Sequence, residues 1–316
     1  MRLTSPPHRS HRPGTRGFGA ALAAALLLVT AGCTGDAASS GDGKDGGKKS
    51  LVDRAPVAAP QVVAASESAQ AIQERGELLV GGVVDMPLMS QRNPASGQTR
   101  GFDALLAKML AKYITGKPNT KKVTAVPETR EALLQVGTVD VVIRIYSITK
   151  ERAKKVSFAG PYLFSGQAIA TLKGTSDIQG ADDLAGNTVV ALTGSTSADA
   201  VREAAPAAEL KTYRTSRECV QALERGTADA YVHDLTVLAG IAQLNNKLKI
   251  IGEPFTNEPY GIGIQRGDTA FKKFINDWLR KIQSMGLWKK AWQQTLGTVV
   301  EGDPPKPPEI GSVPGS

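Results

Sequence analysis

Residues 139–172 read VDVVIRIYSITKERAKKVSFAGPYLFSGQAIATL, and the fold turns on how this stretch divides. Residues 139–145 form a short, nearly continuous apolar run, as expected of a buried strand. A helix starts near Lys150, with Ser147 and Thr149 both able to cap it. Residues 167–172, QAIATL, predict another strand. The stretch therefore closes one series of strands and helices and opens a second.

Upstream, LLVGGVV at 78–84 predicts a strand, followed by the polar, turn-prone segment DMPLMSQRNPASGQTRG. Leu105, Leu106, Met109, Leu110 and Tyr113 recur at helical spacing and predict a helix over 102–114. A strand over 122–126 and a short helix over 130–136 complete the first series. Downstream come a strand at 188–192, the polar stretch TGSTSADAVREAAP, a strand at 210–213, a helix at 217–225, a strand at 228–232, a helix at 234–245 and the strand KLKII. The segment EPFTNEPYGIGIQRGD then leads to an amphipathic helix through Phe271, Phe274, Ile275, Trp278, Leu279 and Ile282. Trp288 and Trp292, four apart, share one face of a terminal helix and are expected to pack it. Two such units with a long return segment imply an α/β protein of two lobes joined by more than one crossing. Strand ends and helix N-termini converge between such lobes, which makes the cleft a candidate small-molecule site.

The chain has 316 residues, formal charge +8, two cysteines and 41% apolar residues. That excludes a disulfide-dense scaffold, a cysteine-built zinc cluster and a wholly disordered chain. The charge suggests nucleic acid or membrane partners until it is located. Arg2, Arg9, Arg12 and Arg16 precede an apolar run over 18–31, the order of an export signal. As a helix that run rises about 21 Å, short of the ~30 Å hydrocarbon core, so cleavage is expected rather than a permanent span. The run ends in Val29-Thr30-Ala31-Gly32-Cys33, which resembles the lipobox of bacterial lipoproteins, although Thr30 stands where an apolar residue is usual. Lipidated Cys33 would hold the protein on the outer face of the cytoplasmic membrane. Cleavage there removes four arginines and leaves +4, and with no aromatic-basic platform no nucleic-acid partner is expected. The expected organisation is a leader over 1–32, a flexible tether over 33–68, the first lobe over 69–168, the second over 169–256, a return to the first over 257–300 and a flexible tail over 301–316.

YSITKERAKKVSFAGPYLFSGQAIA, GSTS at 194–197, CVQALERGTADAYVHDLTVLAG at 219–240 and EPFTNEPYGIGIQRGD at 253–268 together resemble the extracellular solute-binding proteins (family 3) of ABC importers for polar amino acids. The resemblance spans roughly residues 72–298 and is nearest in character to the actinobacterial glutamate-binding branch. It implies a type II periplasmic-binding-protein fold, hinged at two crossings, that closes on one amino acid and delivers it to a permease served by a separate ATPase. By the same resemblance Arg152 grips the ligand α-carboxylate, for which a guanidinium offers paired donors. Ser147 and, less directly, Thr149 stand near that end, Thr196 contacts it from the opposite lobe, and Asp234 balances the α-ammonium. Ser195 belongs to the same strand-to-helix turn, where backbone donors can meet an anion, although any hydroxyl there can equally be a helix cap. Asp85 resembles an aspartate at the cleft rim or on the hinge side. Arg144, near a strand end, can pair with a ligand side-chain carboxylate or with a protein acid, and Arg100 is a second candidate counter-charge.

The sequence departs from the family at Leu88 and Met89, where relatives offer an aromatic; Tyr146, Phe164 and Tyr260 are the possible substitutes. His233 either faces the cleft or packs. Some relatives carry a second mature cysteine near the position of Val190, so Cys219 is expected unpaired. Glutamate is the leading ligand, then aspartate and glutamine. No phosphate-loop, cofactor or metal motif is present. Two other functions fit the same outline: a ligand-sensing adaptor for a membrane signalling system, and a small-carboxylic-acid lyase or dehydratase using His233, Asp234 or Glu258.

Overall fold

The structure, a computed structural model, describes residues 49–174, 177–300 and 302–316. The expected leader and Cys33 lie outside the described residues. Along the chain, helices α1 (Pro60–Val63) and α2 (Glu67–Arg75) precede strand β1 (Leu78–Gly82) and a small meander, β2 (Asp85–Met86), β3 (Ser90–Arg92) and β4 (Thr99–Arg100). Helix α3 (Phe102–Thr115), β5 (Thr120–Thr124), α4 (Arg130–Gln135), β6 (Val141–Val142), α5 (Lys150–Ala153) and β7 (Ser157–Ser165) follow. The second series comprises β8 (Gln167–Leu172), β9 (Thr188–Leu192), α6 (Thr196–Ala204), β10 (Glu209–Tyr213), α7 (Ser216–Glu224), β11 (Ala230–Asp234), α8 (Leu235–Leu244) and β12 (Leu248–Ile251). Strand β13 (Glu258–Ile264) and helices α9 (Thr269–Ser284) and α10 (Leu287–Gln294) end the regular structure.

Two five-stranded sheets form, in the orders β5-β1-β6-β13-β7 and β10-β9-β11-β8-β12. Each has three parallel strands with the first in the middle, and each receives one antiparallel strand in fourth place, β13 or β8. The chain crosses between the sheets at Gly166 and again over residues 252–257. Neither β7 nor β13 is legible as a strand, because both carry glycine and proline, yet they pair with each other and complete the first lobe. The glycines of β13 serve packing: a β-carbon at Gly261 would lie 2.7 Å from Ile148, and one at Gly263 would lie 2.8 Å from the Tyr146 ring. Phe102, Trp278 and Trp288 fill the first lobe's core, where Trp288 Nε1 donates to the carbonyl of Tyr162 at 2.7 Å. Val190, Cys219 and Tyr231 share one cluster of the second lobe. Burial pushes the unpaired Cys219 thiol up to about 12.

The described parts of two expected flexible regions, 49–68 and 302–316, pack on the body instead. Within the segment assigned as a tether, Leu51, Ala55 and Val63 are buried in the first lobe's core, and Ala58 N–H donates to the carbonyl of Tyr113 at 2.8 Å. Ser66 caps α2 through its side chain. Alanine, valine and leucine without a clear period read as linker, but they need no period to fill a groove one residue at a time. The C-terminal segment likewise returns to the body: Ile310 is buried, Gly311 N–H donates to the carbonyl of Gly160 at 2.8 Å, and Gln283 Nε2 donates to the carbonyl of Pro308 at 3.0 Å.

Candidate ligand-binding site

Arg144 follows β6, Ser195 and Thr196 follow β9, and His233 and Asp234 end β11, so strand ends of both lobes meet in the cleft between the sheets. A pocket there is lined by Met86, Pro127, Arg130, Arg144, Ile145, Arg152, Leu192, Ser195, Thr196, His233 and Asp234. Three guanidiniums and one carboxylate therefore face one space. As it stands the cavity measures about 20 Å³, little more than one water. An amino acid enters only if the lobes part.

Arg152 is held from behind. Thr149 Oγ1 accepts the Arg152 N–H at 3.2 Å, capping α5, and the Arg152 guanidinium donates to the carbonyl of Ser147 at 2.9 Å and, across the cleft, to that of Gly194 at 3.4 Å. Tyr146 supports two cations: the guanidinium of Arg130 lies 3.7 Å from its ring centroid and that of Arg152 lies 5.4 Å away. Burial pushes the pKa of Arg130, Arg144 and Arg152 down, and for Arg130 the charge of Arg152 adds to it. No ion pair joins any of the three to a carboxylate among the described residues. The Nε atoms of Arg130 and Arg144 are buried without a hydrogen-bond partner. Through space Arg144 is acted on chiefly by Asp85 and then by Asp103.

Across the cleft, Thr196 Oγ1 donates to Glu258 Oε2 at 3.1 Å, accepts from Gln167 Nε2 at 3.3 Å and stands 3.5 Å from Ser147 Oγ. Asp234 accepts the Tyr260 hydroxyl at 2.7 Å. His233 Nδ1 lies 2.9 Å from the Asp234 carboxylate and 2.7 Å from the Asp234 backbone N–H, which donates to it. Accepting that N–H requires a bare Nδ1 with the hydrogen on Nε2, whereas donating to the carboxylate requires a hydrogen on Nδ1, which in the neutral ring leaves a bare Nε2. That Nε2 is buried without a partner.

The structure thus brings Ser147, Arg144, Arg152, Ser195, Thr196, His233 and Asp234 together. It places others elsewhere. Arg100 is exposed in β4, paired with Gln91, and does not line the pocket. Asp85 is exposed in β2, at the edge of a separate groove. Thr149 spends its side chain capping α5, and Ser195, though it lines the pocket, spends its own capping α6, its Oγ accepting Ala198 N–H at 3.2 Å. Phe164 is exposed and outside the pocket, Tyr146 is occupied beneath the arginines, and Tyr260 meets Asp234 through its hydroxyl and Ser147 through its backbone without lining the pocket. Arg130 was not a candidate from sequence. The signal was its position: a cation opening α4 opposes the helix dipole and needs another reason to be there.

Two α/β lobes, two crossings and a charged cleft at the strand ends define a hinged small-molecule binding protein. The profile of bacterial extracellular solute-binding proteins, family 3, matches residues 78–298, and the chain belongs to that family. It is 36% identical over 230 residues to the ABC transporter glutamine-binding protein GlnH of Bacillus subtilis, covering 72% of this chain and 83% of that one. It is 34% identical over 247 residues to the glutamate-binding protein GluB of Corynebacterium efficiens, covering 73% and 84%. Among solved structures, an ancestral amino acid-binding protein, a precursor of cyclohexadienyl dehydratase, superposes with a TM-score of 0.67 at 33% identity, covering 72% of this chain and 99% of that one. These neighbours share the type II periplasmic-binding-protein fold.

Proposed function

We propose that the protein captures an acidic amino acid, glutamate before aspartate or glutamine, and delivers it to an ABC permease powered by a separate ATPase. Arg152 and Thr196 hold the α-carboxylate from opposite lobes, with Ser147 beside them, and Asp234 holds the α-ammonium. Arg130 or Arg144 takes the side-chain carboxylate, with the unpartnered His233 Nε2 as a further polar contact. The observation that carries this reading is the imbalance of three buried guanidiniums against one carboxylate in the pocket lining. A zwitterion alone leaves that imbalance in place, whereas a second carboxylate reduces it, and uncompensated buried charge is costly. The names of the relatives, glutamine-binding and glutamate-binding alike, support an amino acid ligand and an ABC partner.

Cys33, lipidated and made the first residue by removal of the leader, anchors the protein on the outer face of the cytoplasmic membrane; mass spectrometry of membrane-extracted protein, with Cys33→Ala as control, tests this. Ligand identity is tested by calorimetry on residues 49–316 with glutamate, aspartate, glutamine, arginine and histidine. Glutamate is expected to bind best. Arg152→Ala is expected to weaken it by about 2–5 kcal/mol, and near-native affinity of that variant rejects the assignment.

The buried His233–Asp234 contact favours, as a second reading, an elimination on a small carboxylic acid. The excess of guanidiniums lining the pocket is answered by a bound carboxylate and needs no turnover, so the binding function stands first. Turnover of a carboxylic acid substrate that disappears in His233→Asn would reverse that order.

A further inference from the structure

Gly240 sits inside α8, buried, where glycine is the weakest helix former apart from proline. A packing reason is therefore expected, and it lies across the cleft. A β-carbon at Gly240 would stand 2.9 Å from both Pro87 Cβ and the Pro87 carbonyl oxygen, and 3.1 Å from its carbonyl carbon. Pro87 is buried and belongs to the first lobe, in the turn between β2 and β3, whereas α8 belongs to the second. Two of the three obstructing atoms are backbone, so no side-chain rotation relieves the contact.

The two partners each lead directly to the pocket. Met86, adjacent to Pro87, lines it, and Asp234 is the N-cap of α8. We propose that Gly240 is a positioning residue that sets how far the lobes close: its missing side chain lets α8 seat on Pro87, which brings Asp234 and Met86 to their places around the ligand. Gly240 itself does not line the pocket. A side chain at 240 would hold α8 off Pro87, leave each lobe intact and prop the cleft open.

The test is a cross-link between lobes. Ser147 Oγ and Thr196 Oγ1 are 3.5 Å apart across the cleft, so Ser147→Cys with Thr196→Cys reports closure by disulfide formation, while buried Cys219 does not compete. In ligand-free protein the rate of disulfide formation should fall about tenfold or more with Gly240→Leu and by a smaller factor with Gly240→Ala. Without the reporter cysteines, glutamate affinity should fall in the same order. The ligand-free melting temperature should not fall with Gly240→Ala, since alanine favours the helix. Cross-linking rates within about twofold of the parent for both variants, or a loss explained by a lowered ligand-free melting temperature, overturn the proposal. The cross-link is read without ligand, so it decides the matter whichever amino acid the cleft takes; failure of the parent protein to bind any amino acid would count against the proposed function alone.

Discussion

Arg130 and Tyr146 explain each other only in three dimensions. The ring offers its face to the Arg130 guanidinium at 3.7 Å, and to that of Arg152 at 5.4 Å, inside a core that pushes the Tyr146 hydroxyl itself up to about 12. Desolvated cation–π contacts of this kind contribute on the order of 1–2 kcal/mol. Tyr146→Leu should therefore weaken ligand binding about five- to thirtyfold by calorimetry, beyond any loss seen in urea unfolding. Arg130→Gln should reduce affinity for glutamate more than for glutamine, because only the acid loses a counter-charge; equal losses would move the side-chain subsite to Arg144. Arg152 and Asp234 were legible as candidates because each sits in a resembling block, whereas Arg130 sits outside all of them and is delivered to the pocket by packing. Arg100 failed for the opposite reason: its sequence position before Gly101 says nothing of the exposed meander that carries it away.

Asp103 belongs to the same scale. Burial pushes its carboxyl up to about 6, resisted by the Tyr162 hydroxyl, by Lys122, by the Ile145 N–H and by Arg144, while burial pushes Lys122 down to about 8. The folded state thus favours the protonated acid more than the unfolded chain does. Asp103 contributes most below about pH 4, and that contribution is lost as pH rises through about 6. The difference in urea midpoint between the parent and Asp103→Asn should shift against the parent across that interval. A flat difference would show that Asp103 ionises as freely in the fold as out of it.

Among elements, α3, α9 and the strands β8 and β9 were readable because their apolar periodicity and their burial coincide. Strands β7 and β13 were not, since Gly160, Pro161, Pro259, Gly261 and Gly263 all count against a strand locally. Tertiary closeness overrides that preference: the glycines admit Ile148, Phe158 and Tyr146 against the sheet. Gly263→Ala should accordingly cost about 1–3 kcal/mol of stability by overpacking, measured by urea unfolding. It should also weaken ligand binding, because the atoms it displaces belong to the ring beneath the arginines.

For the whole molecule, alternation of strands and helices was enough to foresee two lobes, since each half repeats one plan. Residues 49–68 and 302–316 pack where flexibility was expected, because a linker-like composition does not forbid docking onto a finished surface. Removal of residues 302–316 should lower the melting temperature by a few degrees, as expected for roughly 1 kcal/mol in a chain of this size, through exposure of the groove that Ile310 fills and loss of the Gly311–Gly160 and Gln283–Pro308 hydrogen bonds. An unchanged melting curve would mean that the segment lies on the surface without stabilising it.

That same segment ends beside the binding machinery. A β-carbon at Gly315 would stand 2.9 Å from Ala153 Cβ, in the helix that holds Arg152, and 3.4 Å from Ile148. Anything joined to Ser316, whether an affinity tag, a fluorescent protein or a surface linker, would leave the fold next to α5. A biosensor built on residues 49–316 should therefore carry its dye there and its purification handle ahead of residue 49.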